Sequence, residues 1–413
     1  MCSVPLQLFL VIFLLKISDG QKISFKNVTI NWANDIKNET IIVTADNLKK
    51  TVPTGEKVSV NVNGDVPVLY EQSIYDIPNL KSLVLSKVNL KEIKPGAFGN
   101  LPLLRYLDLS FNKLSEIKSG TFTNLNLSHV DLGFNLIATL QPGAFKNITV
   151  EELYLNSNEL TEIPSGVFEN VTFTSLYLYF NHIRTIAPTA ISTISLKKLH
   201  LSHNQLETID PRIFNNPELT RLRLNDNLIK FLRPGDLKNL PRLDDLTLSS
   251  NKLTEIPDGV FNNTNIASLE LDLNKIAKIA TKAFDDMPKL EFLDISMNNL
   301  TLWDNNWLAG SSEPEIFMAY FNQITELPDE AFKNYHRLEY FNLEYNKIAK
   351  VSMKAFQKSG HISFLSLASN EIDSWSPDLL RNVSIDKINL GMNKLKCTDL
   401  DEFFGNGTTQ IFC

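Results

Sequence analysis

Three residues of the chain have the side chains of a nucleophilic triad: His203, Asp226 and Ser250. They follow one another at intervals of 23 and 24 residues, and each immediately precedes an asparagine. If this period is one turn of a stacked structure, the three side chains stand in a row about 4.8 Å apart. In a working triad the histidine lies between serine and aspartate, whereas here the aspartate is central. We therefore interpret them as polar groups on a solvated face, and predict that the protein is not an enzyme.

The other titratable residues form no recognised catalytic or ligand-binding motif. The sequence has no phosphate-binding loop, nucleophile elbow or paired metal motif, and its six histidines lack metal-ligand spacing. We expect no cofactor and no metal ion. The composition is that of an ordinary globular protein, with 43% hydrophobic and 21% charged residues. A net charge of −7 without blocks of like charge argues against a nucleic-acid partner.

A sequence repeat predicts the secondary-structure elements that would position a binding site. Its pattern is L-x-x-L-x-L-x-x-N-x-L, and successive asparagines are 23 or 24 residues apart. Val88 and Asp65 hold the asparagine position in the two preceding repeats, so residues 58–395 are predicted to form an array of about 14–15 repeats. The ladder asparagines are Asn112, Asn135, Asn158, Asn181, Asn204, Asn227, Asn251, Asn274, Asn298, Asn322, Asn346, Asn370 and Asn393.

A second column of residues confirms the register of the repeat. Ten residues after the asparagine position stands a large apolar side chain, usually phenylalanine, and this offset does not vary. The one-residue variation in repeat length therefore falls after this column. Its phenylalanines, here called the Phe column, are Phe98, Phe122, Phe145, Phe168, Phe214, Phe261, Phe284, Phe332, Phe356 and Phe403.

These two columns together resemble the extracellular leucine-rich repeat family in its 24-residue form, over residues 80–413. Relatives of that kind include Toll-type receptor ectodomains, matrix proteins, and secreted insect adhesion and immune proteins. The resemblance implies an α/β solenoid shaped as a curved horseshoe. A continuous parallel β-sheet would line its concave face, and irregular or short helical segments its convex face.

The residues themselves support this fold. Leu107 and Leu109 alternate with polar neighbours, which is typical of a strand buried on one face. A single strand cannot bury its leucines alone, so identical turns must stack into a parallel sheet over a continuous core. A buried asparagine amide can both donate to and accept from adjacent turns, which would satisfy backbone groups where the chain leaves each strand.

The two ends of the array require caps, because terminal turns expose core. We assign residues 21–57 to an N-terminal cap without cysteines, with residues 40–46 (TIIVTAD) as a strand. Residues 396–413 resemble a reduced form of the family's cysteine cap. They contain Cys397 and Cys413, an even pair that favours one disulfide in a secreted chain over two free thiols.

The N-terminus indicates export. Residues 4–15 form an apolar run of 12 residues, too short to span a bilayer, and Ser18 and Gly20 suit cleavage before Gln21. Residues 1–20 are therefore predicted to be a signal peptide. No later segment is long and apolar enough to enter a membrane, so we expect a secreted, extracellular protein.

The candidate binding surface comprises the outward strand positions, which lie six, four and two residues before each ladder asparagine. From the earlier to the later repeats, these positions and the edge position just before the asparagine hold first aromatic, then basic, then acidic and again aromatic residues. Aromatic and arginine side chains commonly anchor interfaces. The ligand-binding candidates are Tyr154, Tyr177, Tyr179, Phe180, Lys198, His200, Arg221, Arg223, Asp245, Glu270, Asp272, Asp294 and Tyr320.

Each part of this surface has a structural alternative. At the edge position, Phe111 and Phe134 are better explained by packing along the ladder. The basic and acidic residues are as well explained by pairing with each other across turns as by a partner. The second aromatic zone contains Phe292, Met318, Phe321, Tyr340 and Tyr345 besides Tyr320. It adjoins a repeat that breaks the pattern, for which we favour a repacked turn with Trp303 in the isoleucine position.

Glycosylation signals avoid the outward strand positions of the repeats. Chance contributes to this, because the strand consensus leaves few places for the motif. The nine N-x-S/T signals are at Asn27, Asn38, Asn126, Asn147, Asn170, Asn262, Asn299, Asn382 and Asn406.

The sequence therefore predicts a secreted glycoprotein that binds an extracellular protein or glycan through its concave face. Innate recognition and cell or matrix adhesion both fit the family, and dimerisation with itself or another chain is open. The alternative is an enzyme inhibitor or a structural component of the extracellular matrix.

Overall fold

The structure, a computed structural model, describes residues 22–34, 38–192, 194–262, 264–308, 314–333, 335, 337–380, 383–396 and 410–412. The predicted signal peptide, Cys397, Cys413, Asn382 and Asn406 lie outside these residues. The chain divides into two compact units, Met1–His200 and Leu201–Cys413. Each is a solenoid of parallel β-strands, with about 14 turns in all and almost no helix, so the predicted fold class is confirmed.

The first unit contains eighteen of the described strands. They are β1 (Phe25–Ala33), β2 (Asn38–Ala45), β3 (Val58–Asn63), β4 (Val68–Leu69), β5 (Ile74–Tyr75), β6 (Leu80–Val84), β7 (Glu92–Ile93), β8 (Phe98–Gly99), β9 (Tyr106–Asp108), β10 (Glu116–Ile117), β11 (Phe122–Thr123), β12 (Asn126–Asp131), β13 (Thr139–Leu140), β14 (Phe145–Tyr154), β15 (Glu162–Ile163), β16 (Phe168–Tyr177), β17 (Thr185–Ile186) and β18 (Lys198–His200). Its long sheet runs β3, β6, β9, β12, β14, β16, β18, each strand parallel to the next.

The second unit contains thirteen of the described strands. They are β19 (Arg221–Arg223), β20 (Asp245–Thr247), β21 (Glu255–Ile256), β22 (Ser268–Glu270), β23 (Lys278–Ile279), β24 (Phe292–Asp294), β25 (Ile316–Met318), β26 (Glu326–Leu327), β27 (Arg337–Asn342), β28 (Lys350–Val351), β29 (His361–Ser366), β30 (Ser384–Asn389) and β31 (Gln410–Phe412). Its long sheet runs β19, β20, β22, β24, β25, β27, β29, β30, β31, again in parallel.

The N-terminal segment covers the first turn of the array. Strand β1 pairs antiparallel with β2 on one side and with β3 on the other, so the parallel sheet begins at β3. The strand expected in residues 40–46 is observed as β2, which begins at Asn38 and ends at Ala45. Val28, Ile30 and Trp32 of β1 are buried, so this antiparallel hairpin shields the apolar interior at that end.

The ladder asparagines form the buried network that the sequence predicted. In Asn158, which is 4% exposed, Nδ2 donates to the carbonyl oxygens of Leu132 at 3.0 Å and Leu155 at 3.1 Å. Its Oδ1 accepts from the backbone N–H of Ile137 at 2.9 Å. One amide therefore bonds to backbone groups of its own turn and of the preceding turn. This arrangement satisfies polar groups that would otherwise be buried without partners.

The Phe column packs in the core of each unit, and Phe145 and Phe168 are the first residues of β14 and β16. Its rings stack in sequence, with centroids 5.6 Å apart for Phe98 and Phe122, 5.2 Å for Phe122 and Phe145, and 5.4 Å for Phe145 and Phe168. Phe261 and Phe284 repeat the arrangement in the second unit at 5.8 Å. All six side chains are buried, so the column contributes aromatic packing to the core.

The return segments, expected to be irregular or short helical, contain almost no helix. In the described residues, helix is limited to the four-residue α1 (Pro188–Ile191) and the 3₁₀ turns Leu48–Lys50 and Pro377–Leu380. Short parallel strand pairs take its place, such as β10 with β13 and β21 with β23. Glutamate–isoleucine pairs stand four and five residues after many ladder asparagines, and several of them thus take part in additional small sheets.

The repeat that breaks the pattern is a repacked turn, as favoured above. Trp303 is 6% exposed, and its indole N–H donates to the carbonyl oxygen of Ala331 at 2.9 Å. The ring centroids of Phe317 and Phe341 both lie 5.7 Å from that of Trp303. Aromatic rings therefore fill the volume that leucines fill in the other repeats.

Candidate ligand-binding surface

The outward side of the long sheet is the surface on which most candidate residues lie. We call it the strand face, and define it in each unit by the residues six, four and two positions before a ladder asparagine. Strand register aligns these positions from turn to turn, so Tyr154 pairs with Tyr177 and Asp245 with Ser268. Each candidate except Phe180 lies on the strand face, and none of the candidates is fully buried.

Four stacked rings cross the strand face of the first unit. We call Tyr106, His129, Tyr154 and Tyr177 the aromatic file. The centroids of Tyr106 and His129 are 4.7 Å apart and those of Tyr154 and Tyr177 4.3 Å apart, with interplanar angles of 8° and 10°. His129 and Tyr154 connect the two pairs at 4.8 Å.

Sequence reasoning missed two members of this file, Tyr106 and His129. They stand six residues before their ladder asparagines, whereas Tyr154 and Tyr177 stand four before theirs. The stack therefore changes columns between β12 and β14, and a search along one column does not find it. Comparing diagonal neighbours across strands would have revealed it, because aromatic side chains reach such neighbours.

The remaining aromatic candidates of the first unit adjoin this file. Tyr179 lies 4.6 Å from His200 and 5.7 Å from Phe180, measured between ring centroids. Phe180 is at the edge position, 53% exposed, with a backbone φ of 54°. Phe111 and Phe134, also at the edge, stack at 4.4 Å. That contact agrees with the packing role favoured for these two residues.

Three carboxylates lie beside the aromatic file: Asp108, Asp131 and Glu152. Asp108 and Asp131 are register partners on adjacent strands. Asp131 accepts a hydrogen bond from the backbone N–H of Gly133 at 2.7 Å. Burial, and secondarily the neighbouring charge of Asp108, raises the pKa of the Asp131 carboxyl. The two negative charges are thus held close together on a partly dehydrated surface.

Tyr106, Tyr154 and Tyr179 have a raised pKa and so remain protonated at physiological pH. Burial is the main cause that raises the pKa of Tyr106, Tyr154 and Tyr179 above the ordinary value for tyrosine. The hydroxyl group of Tyr154 donates to Oε2 of Glu152 at 3.1 Å. The first unit therefore presents neutral phenols among carboxylates.

Basic and acidic candidates pair with each other in the second unit. Nε of Arg221 lies 2.8 Å, and Nη2 of Arg223 3.1 Å, from Oδ2 of Asp245 on the next strand. Of the two readings that the sequence left open, pairing across turns therefore holds for these three residues. Lys198 is exposed on β18 of the first unit.

Three further carboxylates, Glu270, Asp272 and Asp294, form what we call the acidic group. Asp272 accepts a hydrogen bond from the hydroxyl of Ser249, and Asp294 accepts one from the backbone N–H of Ser296 at 2.8 Å. Burial is the largest cause that raises the pKa of Glu270 and Asp294, and neighbouring carboxylates add to it. Negative charge therefore exceeds positive charge on this part of the strand face.

The second aromatic zone is broader than the sequence suggested. Tyr340 stacks on Phe364 at 5.1 Å, and Tyr320 contacts Phe321 at 5.8 Å. Phe364 was not among the predicted residues, although it occupies the same column as Tyr340 and Phe292. Phe321 and Tyr345 stack at 4.2 Å at the edge position.

The row of triad-type side chains has the order that the sequence predicted. Nε2 of His203 lies 3.4 Å from Oδ2 of Asp226, so the histidine contacts the aspartate. Groups of three or more His, Cys, Asp or Glu side chains arranged to hold a metal ion were not found among the described residues. Within the same residues, no helix has the length and apolar character needed to cross a membrane.

The glycosylation signals that fall in described residues are all exposed. Their asparagines are Asn27, Asn38, Asn126, Asn147, Asn170, Asn262 and Asn299. Asn147 and Asn170 follow the Phe column in β14 and β16, five residues before the nearest strand-face position. The described repeats therefore carry their signals off the strand face.

A family model described as leucine rich repeat matches the chain over residues 78–137, 126–183, 148–206, 172–229, 194–253, 241–300 and 320–372. A search of curated protein sequences gave no match. Among solved structures, a leucine-rich repeat protein of Leptospira interrogans is similar, with 20% identity, a TM-score of 0.56, and coverage of 87% of this chain and 90% of that one.

Two other solved structures give lower TM-scores. The TLR13 chain of a TLR13–ssRNA13 complex has 18% identity and a TM-score of 0.49; the match covers 80% of this chain but 65% of that one. An octameric complex of latrophilin 3, Unc5D and FLRT2 has 21% identity and a TM-score of 0.48, covering 71% and 84%. Because the family model matches more than half of its length, the chain belongs to the leucine-rich repeat family.

Proposed function

We propose that the protein is a secreted glycoprotein that binds an extracellular protein or glycan through its strand face, and that it carries out no catalysis. Innate recognition and cell or matrix adhesion are the roles that fit this activity. The single observation that carries the proposal is the aromatic file with Tyr179 beside it. Partly exposed tyrosines are the side chains that commonly dominate interface energies.

The fold does not require aromatic residues at these positions. In the same columns the array also accepts Ser175, Ser268 and Ser366, so small polar side chains are compatible with the turn. Exposed aromatic surface costs free energy in water, and binding a partner would recover it. The exposed glycosylation signals on the other surfaces agree with a strand face that is kept accessible.

The test compares a strand-face variant with a matched variant elsewhere on the first unit. Tyr177→Ala with Tyr179→Ala should weaken partner binding by at least about 2 kcal/mol if these rings are anchors. The control is Lys146→Glu with Glu169→Lys. These two residues form an ion pair at 2.7 Å away from the strand face, and the double change reverses the pair without removing it.

The immobilised mature protein and both variants would be incubated with extracellular fluid from the source tissue. Captured molecules would be identified, and their dissociation constants measured. We expect the control to bind as the wild type does and the tyrosine variant to lose binding. If the control loses binding while the tyrosine variant retains it, the strand face is not the binding surface.

Export is tested separately. Mass spectrometry of protein from native medium should show cleavage after Gly20, glycans, and a Cys397–Cys413 bond. Two alkylatable thiols in the unreduced, denatured protein would contradict the disulfide. An uncleaved N-terminus without glycans would contradict secretion.

A further inference from the structure

Negative charge on the strand face of the first unit is only partly compensated, because among the described residues the basic side chain that pairs with it is His129, whose Nδ1 lies 3.6 Å from Oε2 of Glu152. Asp108, Asp131 and Glu152 lie beside the aromatic file, and among the described residues no lysine or arginine forms an ion pair with any of them. Lys198 is the strand-face lysine of this unit, and two strands lie between its strand and that of Asp131, which makes three strand spacings. At the usual strand spacing that separation is roughly 14 Å, beyond the range of direct pairing.

The two aspartates are the centre of this charge. They are register partners on β9 and β12, so their carboxylates stand on adjacent strands. Oδ1 of Asp108 accepts from the N–H and hydroxyl of Ser110 at 2.9 and 2.6 Å, and Asp131 accepts from Gly133. These bonds orient both side chains but do not neutralise them. Like charges on neighbouring strands repel each other, so a bound cation would stabilise this arrangement.

The geometry of the rings further restricts the chemical class of ligand that this surface can bind. Near-parallel stacking covers the facing surfaces of Tyr106 and His129, and of Tyr154 and Tyr177, with each other. Those surfaces are thus not available to stack against a sugar ring. A ligand can therefore contact only the ring edges and the phenol hydroxyls of the aromatic file. The free face of Tyr106 is an exception, because its register partner on the other side is the small Ser82. A planar cation suits that face with Asp108 alongside.

From this arrangement we propose that the strand face of the first unit docks an arginine-bearing segment of a protein partner, with Asp108 and Asp131 accepting its guanidinium groups. The proposal rests on the proposed function and specifies the partner of that surface. A guanidinium presents a planar fork of donors that matches carboxylates, and it packs on an aromatic face. An anionic glycan or a nucleic acid would instead be repelled by the same carboxylates.

The probe is a fluorescent peptide of alternating arginine and glycine, together with its citrulline counterpart, which keeps the shape and lacks the charge. Binding to the mature chain is measured by anisotropy at physiological salt. We expect the arginine peptide to bind at least tenfold more tightly than the citrulline peptide. Asp108→Asn with Asp131→Asn should weaken binding of the arginine peptide at least tenfold. Tyr106→Ala should also weaken this binding.

The matched control is Glu56→Gln with Glu162→Gln, which changes net charge equally. Both glutamates are exposed in the first unit away from the strand face, so this variant should bind the peptide within twofold of the wild type. Equal weakening in both double variants would show general attraction to an acidic protein and overturn the proposal. Tighter binding of a heparin oligosaccharide or single-stranded RNA than of the arginine peptide would also overturn it.

The two proposals fail in different ways. If Tyr177→Ala with Tyr179→Ala abolishes capture of the natural partner while the aspartate variant binds that partner normally, the strand face is the binding surface and the arginine assignment is wrong. If neither variant affects capture and the arginine peptide does not bind, both proposals are wrong.

Discussion

Arg221 and Asp245 lie opposite each other on adjacent strands, with Nε 2.8 Å from Oδ2. Arg223 shares the same carboxylate oxygen, so one aspartate holds two guanidinium groups. The side chains of Arg221 and Arg223 are 46% and 34% exposed and that of Asp245 15% exposed, which places the cluster at the margin of solvent. We therefore expect these charges to contribute to stability, whatever the strand face binds.

Asp245→Asn should lower the free energy of unfolding by about 1 kcal/mol, because it leaves two guanidiniums without their counter-charge at a partly exposed site. The loss should shrink in concentrated salt, which screens the native pair. Chemical denaturation at low and high sodium chloride measures both effects. Asp244→Asn, the exposed neighbour, is the control for net charge. Equal losses in the two variants would mean that the pair contributes nothing of its own.

Repetition explains how much of the fold could be predicted from the sequence. Asn158 and Phe122 each belong to a column with a fixed offset, and stacking gives every member of a column the same environment. The hydrogen bonds of the ladder and the stacking of the Phe column therefore followed from the pattern. The strand pairs β10 with β13 and β15 with β17 did not, because two residues are too few to show the alternation that marks a strand.

The candidate surface was less predictable, for physical reasons that particular residues show. The period of two placed Tyr154 and Tyr177 outward, but it could not show that His129 reaches Tyr154 across columns. Whether Arg221 would turn to Asp245 or to a partner depends on side-chain rotamers, on which the repeat has no influence. The repeat pattern predicts the strand position and the face from which a side chain projects, whereas local packing determines what that side chain contacts.

Removal of a central ladder amide should cost more than removal of a terminal one. Asn251 is 2% exposed; its Nδ2 donates to Leu224 and Leu248, and its Oδ1 accepts from Ile229. Asn251→Leu should lower the free energy of unfolding by about 1–3 kcal/mol for each backbone group left buried without a partner. The measurement is the denaturant midpoint.

Asn393 provides the comparison. It makes the same type of bonds but is only partly buried, so water can replace its amide in Asn393→Leu. We expect a loss well below that of Asn251→Leu. Equal small shifts of the midpoint in both variants would contradict a buried hydrogen-bond network.

Glu270 should make stability fall as pH rises. Burial raises the pKa of Glu270 in the folded protein above its ordinary value of 4.5, so the folded chain binds this proton more tightly than the unfolded chain. Stability must then decline as pH rises from 4.5 through the raised pKa. Glu270→Gln should remove that decline and stabilise the protein at pH 7, as measured by thermal unfolding across pH.

Glu92 provides the opposite case. Hydrogen bonds from Lys118 and Lys94 lower the pKa of its carboxyl. Its contribution to stability is therefore present above 4.5 and lost as pH falls through the lowered pKa. Glu92→Gln should destabilise the protein at pH 7, the reverse of Glu270→Gln. Shifts of the same sign in the two variants would show that burial does not dominate at Glu270.

Trp303 tests whether the irregular repeat is a packed core or a strained turn. Its indole is surrounded by Phe317, Phe332, Tyr335 and Phe341, and its N–H is bonded to a backbone carbonyl. Trp303→Phe removes ring volume and leaves that carbonyl without a donor. We expect a loss of about 2–4 kcal/mol in the free energy of unfolding, from the cavity and the lost hydrogen bond together.

The adjacent Leu302 is the matched control, because its side chain is 69% exposed. Leu302→Ala should change stability by no more than about 0.5 kcal/mol, as exposed positions usually do. Both variants would be compared by denaturant unfolding, with the slope of the transition checked for a change in the unfolded state. If Trp303→Phe costs no more than Leu302→Ala, the tryptophan does not replace the missing leucines.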